Sequence, residues 1–198
     1  MLVSVSGKPF DTMTLPLVTL VLGGARSGKS AYAESLIAPT SGMGGRGLYI
    51  ATAEAGDGEM AERIRRHQAR RGSAWTTVEE PLRLADALRR FCDPGRPVLV
   101  DCLTLWLSNV MAAERDVDAE VAALAEGLGD LAGAVVLVSN EVGLGLVPAT
   151  PLGRAFRDHA GRLNQAVAQR ADRVVFVAAG LPLALKDATQ LSKDRTQQ

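Results

Sequence analysis

The 198-residue chain carries only two cysteines, Cys92 and Cys102, so no disulfide scaffold holds it together and its composition fits a reducing compartment. Cys92 closes an amphipathic stretch and Cys102 follows an apolar run, which predicts two buried, inert thiols. Net charge is missing as well: Lys+Arg and Asp+Glu both number 22. A balanced chain lacks the electrostatic footprint of a bulk nucleic-acid or anionic-membrane binder, so no nucleic-acid partner is expected. No stretch approaches about 18 uninterrupted apolar residues, so no membrane span is expected either. Residues 1–15 lack a basic segment followed by an apolar block and do not read as a secretory leader. A cytoplasmic location is the expectation. No Cys/His/Asp cluster has zinc-ligand spacing, and no G-x-S-x-G nucleophile elbow occurs. Internal repeats and low-complexity tracts are absent.

What is present is an octet. Residues 23–30 read GGARSGKS and fit the phosphate-binding template G-x-x-x-x-G-K-[S/T] through Gly23, Gly28, Lys29 and Ser30. Glycines let successive backbone N–H groups turn inward around phosphate oxygens. The lysine neutralises charge on the outer phosphates, and the serine hydroxyl reaches Mg²⁺. The flanks agree. Leu17-Val18-Thr19-Leu20-Val21-Leu22 is an apolar, β-branched run typical of a buried strand. Residues 30–37 read as a helix whose N-terminus faces the phosphates. Gly23, Gly24, Ala25, Arg26, Ser27, Gly28, Lys29 and Ser30 are therefore the candidate nucleotide cradle.

Around this octet, strands are predicted at 17–22, 47–52, 97–101, 134–139 and 173–178, with a weaker one at 75–78. Helices are predicted at 29–38, 57–71, 81–92, 103–113, 117–132 and 151–170. The strands are continuous apolar runs, the pattern of strands covered on both faces. Strand–helix alternation then gives an α/β fold with a largely parallel sheet flanked by helices, the P-loop NTPase architecture. Residues 1–15 are expected as a loose extension, 16–186 as one nucleotide-binding domain, and 187–198 as a polar tail. Gly and Pro cluster at 39–47 and 143–153, marking loops near the ligand edge.

A phosphate loop works with an acidic residue at the end of another strand, which holds Mg²⁺ directly or through water. Asp101, after Pro97-Val98-Leu99-Val100, fits that role, and Glu141 is a second candidate. In the helix predicted at 57–71, Met60, Ile64 and His67 form one stripe, and Arg63, Arg70 and Arg71 lie on the side of His67. Such cations would keep the imidazole neutral and nucleophilic, and could hold a triphosphate beside it. Spacing alone favours the plainer reading of an amphipathic helix with a solvated arginine face. His159, between Phe156 and Leu163 on a stripe that includes Leu152 and Val167, reads as a half-buried packing residue.

Several motifs then occur in a fixed order. After GGARSGKS come Leu48-Tyr49-Ile50-Ala51-Thr52-Ala53, Glu59-Met60-Ala61-Glu62-Arg63-Ile64-Arg65-Arg66-His67 and Trp75-Thr76-Thr77-Val78-Glu79-Glu80-Pro81. Val100-Asp101-Cys102-Leu103-Thr104-Leu105-Trp106-Leu107-Ser108-Asn109, Ser139-Asn140-Glu141-Val142-Gly143 and the segment Phe156 to Gln165 follow. The series, from about residue 17 to 186, resembles the bifunctional adenosylcobinamide kinase/adenosylcobinamide-phosphate guanylyltransferase family of cobalamin biosynthesis. The resemblance implies two reactions on one scaffold: ATP or GTP phosphorylates adenosylcobinamide, then GTP guanylylates a histidine and GMP passes to adenosylcobinamide phosphate, giving adenosylcobinamide-GDP and pyrophosphate. The nucleophile falls on His67, in the pair Arg66-His67; a phosphoramidate there is labile enough to pass GMP on. Lys29 and the loop amides are implied to hold the outer phosphates, and Ser30 and Asp101 to hold Mg²⁺. Glu79 is implied to accept from guanine N1–H and the 2-amino group, with Glu80 as fallback. Thr52, Ala53 and Glu54 match another nucleotide-contacting segment. The resemblance further implies a recombinase-like sheet order and a homotrimer. Two other readings stand beside it: a single-function P-loop kinase and a non-enzymatic nucleotide-binding regulatory domain.

Overall fold

A computed structural model of the chain describes residues 15–37, 47–53 and 75–187. Its strands are β1 (Val18–Gly23), β2 (Gly47–Ala51), β3 (Trp75–Glu79), β4 (Val98–Asp101), β5 (Val135–Asn140), β6 (Arg173–Ala178) and β7 (Leu181–Asp187). Its helices are α1 (Lys29–Ile37), α2 (Leu84–Phe91), α3 (Leu103–Ala112), α4 (Val117–Gly127) and α5 (Pro151–Arg170), with a 3-10 turn at Leu128–Asp130. The strands form one seven-stranded sheet in the order β3-β2-β4-β5-β1-β6-β7, parallel except for the antiparallel β6–β7 pair.

Period-two alternation distributes each strand between two cores. Leu20, Leu22, Val100, Leu137 and Val174 face the side covered by α2, α3, α4 and α5. Val21, Leu99, Val136, Val138 and Val175 face the side where α1 lays down Tyr32, Ala33 and Ile37. Both faces being covered explains why these strands carry almost no polar residue. Each fully buried leucine contributes roughly 1.5–3 kcal/mol relative to an exposed one. The helices start where the chemistry puts them. Thr150 caps α5 by accepting from the Gly153 N–H at 3.1 Å, with Pro151 at the first helical position. Asp116 caps α4 through the Ala119 N–H at 3.1 Å.

The observed elements differ from expectation in instructive places. The helix expected over 81–92 spans Leu84–Phe91, because the Glu80 carboxylate accepts from the Leu82 and Arg83 N–H groups at 3.1 and 2.7 Å and holds a turn there. The helix expected over 117–132 gives way after Gly127 to the 3-10 turn, in a stretch with two helix-weakening glycines, Gly127 and Gly129. The weak strand at 75–78 is a full edge strand, paired with β2 along its length. Strand β7 is an addition: residues 186 and 187, placed at the border of the polar tail, belong to it, and Arg173 pairs with Asp187 across the sheet at 3.4 Å, both nearly buried. Leu152, expected on the buried stripe of α5, is 70 % exposed because only Ala160, Leu163, Asn164 and Val167 of that helix are buried. His159 is half-buried as expected, with its Nδ1 2.9 Å from an Arg162 guanidinium nitrogen. The helix predicted at 57–71 lies outside the described residues.

Candidate nucleotide site

The C-terminal ends of β1, β2, β3, β4 and β5 share one edge of the sheet, and the octet leaves from the middle of it. Gly23 ends β1 with no room for a side chain: a Cβ would sit 2.5 Å from the Val177 carbonyl oxygen. Gly28 has φ +94°, and a Cβ there would come within 3.2 Å of Gly180 Cα. Between them Arg26 takes φ 55°, a left-handed conformation that a non-glycine residue adopts at a cost. The loop closes by a Ser27 N–H to Gly24 carbonyl bond of 3.3 Å and passes into α1 through Tyr32 N–H to Gly28 carbonyl, 3.0 Å. From behind, the Gly180 N–H of the β6–β7 turn donates to the Ser27 carbonyl at 2.8 Å.

Lys29, the first residue of α1, is buried, and its ammonium donates to the Gly24 carbonyl at 3.1 Å. Its charge thus sits across the mouth of the loop, where the outer phosphates of a nucleotide belong. Ser27 Oγ is buried without a hydrogen-bond partner among the described residues. Ala25 and Arg26 are exposed; Gly24 and Ser30 are partly so.

Asp101 ends β4 on the same edge. Its Oδ2 accepts from the Tyr49 hydroxyl at 2.9 Å, which fixes the carboxylate while leaving it partly open to solvent. β5 lies between β4 and β1, so the strand carrying Asp101 and the strand carrying the octet stand two inter-strand spacings apart, about 10 Å. A span of that size suits phosphates together with a hydrated cation. Mg²⁺ keeps most of its waters and takes only one or two protein oxygens, so a serine hydroxyl and one carboxylate match its needs.

Thr52, expected to contact nucleotide, is fully buried; its hydroxyl donates to the Cys102 carbonyl and accepts from the Cys102 N–H, both at 2.8 Å. Its side chain therefore locks the turn after Asp101, with its one donor spent on that backbone. Ala53 is partly exposed beside it, and Asn109 donates to the Thr52 carbonyl at 2.8 Å. Glu79 and Glu80 separate cleanly. Glu80 is consumed in the turn before α2, whereas Glu79, at the end of the edge strand, is exposed and its carboxylate hydrogen-bonds no described residue. Glu141 turns back on its own loop, accepting from the Gly143 N–H at 2.6 Å. Glu54, His67, Arg70 and Arg71 lie outside the described residues.

One group quoted among the motifs but given no role there underlies this edge. Asn140, opposite Gly23 in the β1–β5 register, donates to Thr104 Oγ1 at 2.5 Å, and its carbonyl accepts from Asn164 at 3.2 Å. Ser139 donates to Asn164 Oδ1 at 2.7 Å. A polar Ser-Asn pair closing the apolar run Val135–Val138 was the signal for it. The Cys102 thiol beside this network is pushed up from its ordinary pKa by burial and by the neighbouring Asp101 charge, and Cys92 is pushed up mainly by burial. Both thiols are thus poor nucleophiles.

Comparison with known proteins decides among the readings. The family model described as "Cobinamide kinase / cobinamide phosphate guanyltransferase" matches residues 19–185. The chain belongs to that family. A curated relative from Pseudomonas aeruginosa, the bifunctional adenosylcobalamin biosynthesis protein CobP, is 55% identical over 169 residues, covering 84% of this chain and 96% of the relative. The CobU proteins of Escherichia coli and Salmonella typhimurium are each 38% identical over 185 residues, covering 86% of this chain and all of theirs. Among solved structures, the flagellar accessory protein FlaH of Methanocaldococcus jannaschii superposes with a TM-score of 0.51 at 12% identity, over 87% of this chain and 80% of that one. That likeness concerns the P-loop NTPase fold alone. Among the described residues, no helix is long and apolar enough to cross a membrane.

Proposed function

We propose that this chain phosphorylates the aminopropanol hydroxyl of adenosylcobinamide with ATP or GTP, and then transfers GMP from GTP to adenosylcobinamide phosphate. The observation that carries this reading is the glycine-lined cradle with Lys29 across its mouth, on the same sheet edge as Asp101, in a chain matched to this family over nearly its whole described length. The loop amides and Lys29 hold the β- and γ-phosphates in both steps. Ser30 and Asp101 hold Mg²⁺, which, when bound, neutralises charge on the phosphate oxygens. Glu79, with its carboxylate in solvent, accepts from guanine N1–H and the 2-amino group. Ala53 and Glu54 border the nucleotide, and Arg70 and Arg71 add positive charge near the triphosphate.

In the transfer step a neutral His67 ring nitrogen attacks the α-phosphorus of GTP. The bond to the β-phosphate oxygen breaks, pyrophosphate leaves, and the ring gives up the proton on its other nitrogen. A phosphate oxygen of adenosylcobinamide phosphate then attacks the same phosphorus, the N–P bond breaks, and adenosylcobinamide-GDP is released with the imidazole restored. The enzyme works in the cytoplasm as a homotrimer, and residues 16–186 form its single catalytic domain.

The test is His67→Ala incubated with GTP labelled at the α-phosphate. Acid-labile GMP labelling is lost while phosphorylation of adenosylcobinamide survives in part. Full labelling of that variant rejects the nucleophile. Mass spectrometry of the unaltered protein after GTP incubation, showing no GMP adduct, reduces the chain to a single-function kinase.

A further inference from the structure

Four of the most exposed aliphatic side chains of the described residues fall within 141–152, three in the loop after β5 and one in the first turn of α5: Leu144 at 83 %, Leu146 at 97 %, Val147 at 66 % and Leu152 at 70 %. Exposed leucines this close in sequence call for an occupant. The ends of the segment are fixed. Glu141 accepts from the Gly143 N–H, Arg154 donates to the carbonyls of Pro148 and Ala149 at 3.1 and 2.8 Å, and Thr150 caps the helix that follows. Gly153 packs so closely under Pro148 that a Cβ would lie 2.8 Å from its ring. Between these two fixed ends, Leu144, Leu146 and Val147 turn their aliphatic side chains to water.

Its position identifies the ligand. The Glu141 N–H donates to the carbonyl of Gly23, the first residue of the octet, at 3.2 Å. The root of the segment is therefore fastened to the phosphate cradle itself. A phosphoryl acceptor must bring its hydroxyl to the outer phosphate in near-attack geometry, so the remainder of a large acceptor lies on the surface beside the cradle. Cobinamide carries its hydroxyl on a flexible arm, and the arm hangs from a broad corrin ring studded with methyl groups and amide side chains. We propose that Leu144, Leu146 and Val147, extended by Leu152, form an aliphatic shelf that receives the methyl-bearing edge of the corrin ring while the hydroxyl or phosphate arm enters the cradle. This inference rests on the activity proposed above and assigns the acceptor's subsite within it.

The test uses the full chain with Leu146→Asp and with the double variant Leu144→Asp/Leu146→Asp. Both positions are exposed, so the fold should survive, and thermal melting checks it. The KM for adenosylcobinamide rises at least tenfold in the single variant and further in the double. GMP labelling from GTP alone and the size-exclusion elution volume stay unchanged, and Leu146→Met restores the KM. An unchanged KM overturns the shelf. A shift to a smaller species on the column also overturns it and reassigns the segment to a contact between copies of the chain. If the unaltered chain phosphorylates no corrinoid, the activity itself has failed, and that control separates the two outcomes.

Discussion

The two edges of the sheet use their polar groups differently. At the N-terminal edge they close the chain on itself. The Val18 N–H donates to Asp172 Oδ2 at 2.9 Å while the Asp172 N–H donates back to the Val18 carbonyl at 2.9 Å, and the Val135 N–H donates to the Leu17 carbonyl at 2.8 Å. At the C-terminal edge, Ser27 Oγ is buried without a described partner, Glu79 stands in solvent, and Arg26 holds a strained φ of 55°. Thr19 Oγ1, near the N-terminal end of β1, is likewise buried without a described partner, so what sets the C-terminal edge apart is that its unpartnered hydroxyl and its strained residue stand on one glycine-lined loop. Below it, the Ser139–Asn164–Asn140–Thr104 bonds keep the edge stiff.

The sharpest way to break this contrast is Lys29→Ala. Both the kinase and the guanylyl-transfer rates fall by at least about a hundredfold, since both steps draw on one phosphate cradle. A kinase rate near normal in that variant would mean two separate sites. The next test compares a polar deletion at each edge. Asn164→Ala strips the Ser139 hydroxyl and the Asn140 carbonyl of a partner, and Asp172→Ala strips the Val18 N–H. Each lowers unfolding free energy by about 1–3 kcal/mol in denaturant titration. GTP affinity falls only for Asn164→Ala; an equal fall in both would erase the distinction between the edges. The smallest effects separate two neighbouring carboxylates. Glu79→Gln raises the KM for GTP about tenfold with stability unchanged, while Glu80→Gln costs about 1 kcal/mol of stability and leaves the preference for guanine intact.

Much of this was legible in the residues because local and global signals agreed. The octet between an apolar run and a helix placed the cradle at the end of its strand, and the helix expected over 151–170 spans those residues as α5. Asp101 was legible as the polar end of an apolar run. Strand β7 was not. Pro182 argues against a strand, and an edge position tolerates it because one side of the backbone needs no ladder bond. The two-residue turn Ala179-Gly180, with φ 51° and 80°, was the available hairpin signal. The backbone-bracing role of Thr52 was equally hidden, since a threonine at the end of a strand looks the same whether its hydroxyl faces a ligand or a neighbouring backbone. Glu79 and Glu80 were indistinguishable in sequence for the same reason. Which of them caps a turn depends on where the chain bends next.

The hairpin at Ala179-Gly180 has a reach beyond the edge it completes. Gly28 abuts Gly180, and the Gly180 N–H holds the Ser27 carbonyl. The phosphate loop thus leans on a backstop made late in the chain, some 150 residues after the octet itself. Widening that tip, by a methyl on Gly180 or a residue inserted beside it, would unsettle the grip on phosphate without altering one letter of the motif that announces it.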